Sequence, residues 1–472
     1  MKRILTTIAL AATIAFTTMA QTGIFPSKAT IDDFRPKDGK IELIDGRLLH
    51  DYKTDTLAQL LDEWDKFTRK YPTNEMGWRN YEKVWTSYMM VRGWPEESSA
   101  LRIEWRRRCA ESIPSTYTYY FMGVEDYIKL QDPSEINNWK TRQRAKYKNA
   151  CKAMELLPDD VISEDVIDLI STMMNDNDTV RIKKLVTELY DRGLYPDYKL
   201  QYHFNELQGM PENALYIGEG HRAIIPKLVI QHVLGMHRDK VFYNLGYGID
   251  SGYNSLCFRS FGIPEIEKDG YGFPAKNVVE HICNHSSRPV CFSANGMSSD
   301  WLTDSLRARL YNEGLTMRYS ATPYDNFAVK RRNIDQRYLL EYLLYSFKSN
   351  KDEKLRRWEI SDRLDFAENY YRLLKDQLPW YKKHDRKGYE RLGNLFYRIS
   401  LNTAIPQIRK AVKDGTIQLK PGVTEKDFEK VIKMIESYEL EEFLEMFEKN
   451  EEKNARIEAE KNAETTNNSE KK

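Results

Sequence analysis

The sequence predicts an α plus α/β protein: a helical-repeat domain, a central α/β domain with a mainly parallel sheet, and a C-terminal helical domain. Three observations carry this. From about residue 51, apolar residues recur at three- and four-residue spacing and prolines close the runs. After Pro211, short β-prone runs alternate with helical ones, which is the pattern of βαβ units. From about 331 the helical spacing returns and lasts to about 448. A chain of 472 residues exceeds one ordinary core, so several units are expected.

The N-terminus reads as a targeting segment. In "MKRILTTIALAATIAFTTMAQ", Lys2 and Arg3 precede an apolar run from Ile4 to Phe16, and Thr18-Met19-Ala20 follows. This is the charge, core and small-residue order of a secretory signal peptide over 1–20, and the run is short for a bilayer span. Export is therefore expected, to the periplasm or in association with the outer membrane, with no transmembrane segment in the mature chain. Residues 21–50, with Pro26, Pro36 and Gly39, read as an irregular segment. Lys+Arg 72 against Asp+Glu 71 leave a net charge of +1. That balance disfavours nucleic acid or an anionic membrane as the main partner, while leaving room for a local basic patch. Five cysteines are too few for a disulfide scaffold, and the odd number leaves at least one thiol outside any internal pairing. Cys283 and Cys291 are a possible pair.

Residues 51–210 form the expected helical domain. "TLAQLLDEWDKFTRKYP" places Leu57, Leu60, Leu61, Trp64 and Phe67 on one face, and "NEMGWRNYEKVWTSYMMV" continues with Trp78, Tyr81, Trp85 and Tyr88. Helices are expected to close near Pro72, Pro114, Pro158 and Pro196, a loose period of helical pairs. "ACKAMELLPDD" resembles the second helix of a tetratricopeptide unit, and "FTRKYPTNEMGWRNYEKVW" is similar across a unit boundary. The full repeat pattern is absent, so the segment is either a degenerate tetratricopeptide-like array or an irregular helical domain.

Residues 211–330 form the expected α/β domain. "NALYIG", "KVFYNLGYGI", "VCFSA" and "LTMRYS" read as strands. "RAIIPKLVIQHVLGM", "YNSLCFRSFG", "AKNVVEHICNHSSRP" and "SDWLTDSLRARLYNEG" read as helices. Ser298-Ser299-Asp300 would cap the last of these at its start and Gly314 at its end. The series "LYIGEG…HRDKVFYNLGYG…RPVCFSANG…LRARLYNEGLTMRYS" resembles the soluble region of a Bacteroidota family of protein O-mannosyltransferase-like membrane proteins, over about residues 213–323. The shared features fall at Gly218 to Gly220, Arg238-Asp239, Arg288-Pro289 and Glu313-Gly314-Leu315. That family's acidic run at the first turn is reduced here to Glu219, and its membrane-embedded part is missing. The resemblance implies lineage and fold and carries over no catalytic residue.

Residues 331–448 form the expected C-terminal helical domain, with "QRYLLEYLLYSF", "DRLDFAENYYRLLKDQLPWY", "GYERLGNLFYRISLNTAI" and "TEKDFEKVIKMIESYELEEFLEMFEKN" as helices. Residues 449–472 are charged, lack aromatics and read as a disordered tail.

Three constellations bear on chemistry. Gly218, Gly220 and Ala223 match the spacing of a dinucleotide turn. That site also wants an acid at the end of the second strand, where Phe242-Tyr243-Asn244-Leu245 stands, and Pro226 is expected to be tolerated only near a helix start. A tight turn without cofactor is therefore expected. His281 and His285 are an i, i+4 pair that could share a metal if a third ligand came from His221 or Asp250; otherwise they line a helix end. Cys257 lacks a neighbouring His, and no G-x-S-x-G occurs. Arg106-Arg107-Arg108 and Lys330-Arg331-Arg332 are balanced by acids and read as salt-bridge partners. Asp55-Thr56-Leu57, Asp178-Thr179-Val180 and Asp304-Ser305-Leu306 are similar to the short O-glycosylation acceptor motif of exported Bacteroidota proteins.

Two readings of function follow. In the first, the chain is a non-catalytic scaffold of the cell envelope that binds a protein partner through helical-repeat surfaces, with Trp64, Trp78, Trp85 and Trp105 as candidate anchors. In the second, it is an enzyme or small-ligand binder whose crevice lies at the C-terminal strand ends, among Gly218, Glu219, Gly220, His221, Tyr247, Asp250 and Asn295.

Overall fold

The computed structural model describes residues 31–37, 41–44, 46–50, 52–93, 98–123, 139–194, 197–294, 301–340, 357–401, 405, 409, 412, 419, 422–446 and 449. The signal segment, residues 21–30, Asn295, the Ser298-Ser299-Asp300 cap and the tail from 450 lie outside the described residues. The chain divides into one unit over Ser27–Tyr195 and another that holds Pro196–Lys472.

The first unit is helical: α1 (Thr54–Lys70), α2 (Glu75–Arg92), α3 (Ser98–Ser112), α4 (Tyr117–Phe121), α5 (Trp139–Glu155), α6 (Ser163–Asn175) and α7 (Thr179–Asp191). Each helix expected to close at a proline ends a few residues before it; α7 is closed by Gly193 at φ +64°, where Leu194 N–H donates to Leu189 O at 3.0 Å. Helix α1 packs on α2, α4 on α5, and α6 on α7. The irregular N-terminal segment is tied down by Asn80, whose Oδ1 accepts from the Ile44 N–H at 2.9 Å and whose Nδ2 donates to the Glu42 carbonyl at 2.9 Å. Trp64, Trp78, Trp85 and Trp105 are all at most 2% exposed. They are core residues and cannot anchor a partner. Two of them reach backbone carbonyls: Trp64 Nε1–H donates to Phe34 O at 2.9 Å and Trp78 Nε1–H to Pro72 O at 2.7 Å. The first basic run pairs as its composition predicts, Arg106 with Glu82 at 2.8 Å and Arg108 with Asp65. Buried Asp165 pairs with Arg79 and accepts from Tyr117 Oη at 3.2 Å, linking α2, α4 and α6.

The second unit opens with α8 (Asp197–Gly209) and continues through β1 (Leu215–Gly218), α9 (His221–His232), β2 (Val241–Asn244), α10 (Ser251–Phe261), α11 (Val278–His285) and β3 (Val290–Ser293). A single-turn α12 (Asp304–Arg307) leads to β4 (Leu310–Asn312) and β5 (Thr316–Tyr319). The sheet order is β2-β1-β3-β5-β4. Strands β2, β1 and β3 are parallel, with Leu215 facing Val241 on one side and Val290 on the other. Strand β5 is antiparallel to both β3 and β4. The sheet is therefore mixed, and the expectation of a mainly parallel sheet is corrected. The cause is local. "SDWLTDSLRARLYNEG" does not form one long helix: α12 ends at Arg307, and Leu310-Tyr311-Asn312 turns back on Thr316–Tyr319 as a hairpin. Gly314 is the hairpin turn at φ +128°, and no helix cap. A Cβ there would lie 2.4 Å from Tyr338 Oη, so only glycine admits that ring.

The C-terminal part holds α13 (Asn326–Arg332), a π-helical turn (Asn333–Arg337), α14 (Arg357–His384), α15 (Arg386–Ile399) and α16 (Glu425–Glu436). Of the expected helix "QRYLLEYLLYSF", Gln336 and Arg337 close the π turn and Tyr338 is extended; residues 341–347 lie outside the described residues. Thr424 and Asp427 form a reciprocal capping box for α16. Helix α8 packs against α14 through an aromatic seam. Tyr202 stacks on Phe366 with centroids 4.1 Å apart, Asn369 donates to Tyr202 Oη at 2.9 Å, and Asn205 donates to Tyr370 Oη at 2.8 Å. Sheet and C-terminal helices thus share one unit.

Candidate functional site

The turn after β1 is built around Asn244, at the end of β2. Its Oδ1 accepts from Gly220 N–H at 3.1 Å and from Gly246 N–H at 3.0 Å, and its own N–H donates to Tyr253 Oη at 2.8 Å. Gly220 holds φ +79° as the residue preceding α9. Gly218 is enclosed: a Cβ would meet Ile224 Cδ1 and a Tyr216 ring carbon at 2.8 Å. A dinucleotide turn needs a free donor at the helix start. Here Asn244, at the position where an acid would hold a ribose, takes up the Gly220 N–H from inside the protein. The polar filling continues, because Tyr243 Oη donates to Asn254 Oδ1 at 2.6 Å and Asn254 Nδ2 to Gly248 O at 2.8 Å. Pro226 is the sixth residue of α9, and the helix runs through it, deeper than the expected tolerance near a helix start.

The other crevice candidates are placed as follows. Glu219 and His221 are exposed at the start of α9. Tyr247 lies edge-on to Tyr253, with centroids 5.3 Å apart. Asp250 caps α10, its Oδ1 accepting from Gly252 N–H at 2.7 Å and Tyr253 N–H at 3.3 Å. Asn295 lies outside the described residues. In the histidine pair, His281 Nε2 is 2.8 Å from Pro264 O and His285 Nδ1 is 2.9 Å from His281 O. A carbonyl oxygen only accepts, so these two nitrogens carry the ring protons and the other nitrogen of each ring is left as the acceptor. Among the described residues, no three His, Cys, Asp or Glu side chains gather as a ligand set.

All five cysteines are free, Cys283 and Cys291 included. Cys109, Cys257 and Cys283 are buried, and burial pushes each thiol up to about 12. Burial pushes Cys291 up as well. Such thiols stay protonated and are poor nucleophiles.

One cluster escaped the sequence reading. Lys227 of α9 and Glu206 of α8 are fully buried, and His203 is 4% exposed. Lys227 Nζ donates to Glu206 Oε2 at 2.6 Å and to Ala223 O at 2.9 Å, and stands over the Tyr216 ring at 4.1 Å. His203 Nδ1 lies 2.6 Å from Glu206 Oε2 and 2.9 Å from Lys227 Nζ, so it serves one of them at a time. Burial, with the Lys227 charge, lowers His203 to about 4. Burial also lowers Lys227. Burial works against the Glu206 charge, but Lys227 and His203 outweigh it and hold that carboxyl below its ordinary value. The only signal available was a lysine set inside the apolar run "AIIPKLVI".

The segments Arg238-Asp239, Arg288-Pro289 and Glu313-Gly314-Leu315 have visible structural roles. Arg288 donates to the carbonyls of Asn213 (3.1 Å) and Asp239 (3.2 Å), and Asp239 Oδ2 accepts from Asn213 N–H at 2.8 Å. This clasp joins the N-terminal ends of β1, β2 and β3. Buried Glu313 accepts from Tyr324 Oη at 2.7 Å, and the Glu313 carbonyl accepts from Asn333 Nδ2 at 2.8 Å.

A projecting turn follows α10. Asp269 Oδ1 accepts from Tyr271 N–H and Phe273 N–H, both at 2.9 Å, and Asp269 N–H donates to Phe273 O at 2.8 Å. Gly272 supplies φ +87°. Lys276 pairs with Glu267 across the stem at 2.8 Å. The tip holds Tyr271 at 89% and Phe273 at 51% exposure.

Comparison with protein-family models, with curated proteins and with solved structures finds no match to this chain.

Proposed function

We propose that this chain is a non-catalytic interaction protein of the bacterial cell envelope, exported by its N-terminal segment, and that it binds a protein partner. The observation that carries the reading is the Asp269-locked turn, which holds the backbone of Tyr271 and Phe273 and leaves both rings exposed. Aromatic anchors on a pre-ordered element lose little conformational freedom on binding, and they act best when a partner pocket covers them. This turn is the proposed contact in preference to the helical array, whose four suspected tryptophans are inside. The filled ends of β1 and β2 also support a binding role over an enzyme or small-ligand crevice, as do thiols held protonated by burial. Burial further protects free thiols outside a reducing compartment. Common ancestry of residues 213–323 with the O-mannosyltransferase-like family belongs to the same proposal.

The test is a crosslinked capture of the tagged chain from native envelopes, read by mass spectrometry. Wild type should bring down a stoichiometric envelope protein, and Tyr271→Ser/Phe273→Ser should lose it while melting unchanged. A wild-type chain that comes down alone refutes the proposal and returns attention to the residues around Glu219 and His221.

A further inference from the structure

The second basic run does not lie on a merely balanced surface. Residues 326–337 and 376–391 together hold nine Lys or Arg against four Asp or Glu, in a chain whose net charge is +1; of the nine, Lys330 is buried and Arg337 donates to the carbonyls of Gln208, Gly209 and Met210. Three contacts bring the two segments onto one surface. Lys330 Nζ pairs with Asp376 at 2.7 Å, the Arg331 guanidinium stands over the Trp380 ring at 4.5 Å, and Arg391 pairs with Asp335 at 3.0 Å. Arg332, Lys382 and Lys383 are exposed around them. Two aromatic side chains lie among these cations: Phe327, 53% exposed, and Trp380, 37% exposed.

We propose that this surface, where the end of α13 meets the end of α14, docks on an anionic lipid bilayer. Charge complementarity selects the occupant. Long cationic side chains reach headgroup phosphates, and a polybasic surface gains attraction with each added cation. Trp and Phe between the cations match the interfacial layer, where an amphipathic ring has one edge wet and one apolar. A nucleobase would stack less readily here, because the Trp380 ring already stacks on His384 at 4.8 Å and carries Arg331. An acidic protein would satisfy the cations and gain less from Phe327. No helix among the described residues is long and apolar enough to cross a membrane, so the docking is peripheral. The inference is independent of the partner proposed for the Tyr271 turn, whose capture test stands or falls separately.

Flotation of the full chain with vesicles tests it. Vesicles of phosphatidylcholine with about one third phosphatidylglycerol should retain the protein at low salt at least tenfold more than phosphatidylcholine alone. Raising salt should release most of it. Arg332→Glu/Lys382→Glu/Lys383→Glu changes only exposed side chains; it should keep the wild-type melting temperature and lose at least tenfold in retention. Phe327→Ser should weaken the part that resists salt. Equal retention on neutral vesicles, no retention on anionic ones, or a charge-reversed variant that binds like wild type would each overturn the proposal. So would an oligonucleotide or acidic peptide that binds this surface while anionic vesicles do not.

Discussion

Replacing Lys227 by Met tests the buried ion pair most directly. Lys227 and Glu206 are both fully buried with their charges 2.6 Å apart, and Glu206 Oε1 has no hydrogen-bond partner among the described residues. Methionine keeps most of the volume against Tyr216 and removes the ammonium. Glu206 then keeps only His203 beside its charge. Breaking a buried pair from one side costs roughly 3–5 kcal/mol, because the remaining charge is desolvated without compensation. At roughly 2–4 °C per kcal/mol for a unit of this size, the melting transition should fall by about 10 °C. Removing both charges, as Lys227→Met/Glu206→Leu, should recover most of that loss, since an apolar pair of similar volume is often neutral or better than the ion pair. Differential scanning calorimetry on wild type, the single and the double variant reads all three. A single variant within about 2 °C of wild type, or a double variant that melts lower than the single, would show that the pair does not hold α8 to α9 as argued.

Three further outcomes follow. His203 is lowered from 6.5 to about 4, so the unfolded chain takes up this proton first; its contribution is whole above pH 6.5 and lost as the pH falls toward 4, about 3 kcal/mol in all. His203→Gln should flatten urea stability over that window relative to wild type, a difference that cancels Asp165, which burial raises to about 6 despite Arg79 and which works in the opposite direction. Gly314→Ala meets both the φ of +128° and Tyr338 Oη at 2.4 Å, and should cost at least about 2 kcal/mol in denaturant melts; a neutral result would mean the hairpin turn shifts freely. Alkylation of the native chain should be slow at the buried Cys109, Cys257, Cys283 and Cys291 and faster at the half-buried Cys151, and rapid loss of all five thiols at once would contradict their burial.

Local rules reached far into this chain. Helix ends at prolines, the strands of the βα units and the apolar faces of α1 and α2 were legible because each depends on residues within a few positions of one another. The composition also indicated several units and left a local basic patch possible. What escaped depended on residues far apart. Leu310-Tyr311-Asn312 suits a helix or a strand by spacing; its hairpin is settled by pairing with β5 and by Tyr338 entering over Gly314. Trp64, Trp78, Trp85 and Trp105 carry the same sequence signature inside or outside, and only packing buried them. Asn244 could be read as the absence of an acid, but its bonds to Gly220 and Gly246 exist only once β1 and β2 lie side by side. Glu206 and Lys227 are 21 positions apart and meet only when α8 packs on α9. Sequence by itself determined where this chain turns, stops and alternates, since those choices are made within single turns of backbone. Tertiary structure alone decided which side chains are desolvated together, and so which charges are paired, which glycines are filled against and which aromatics remain open to a partner.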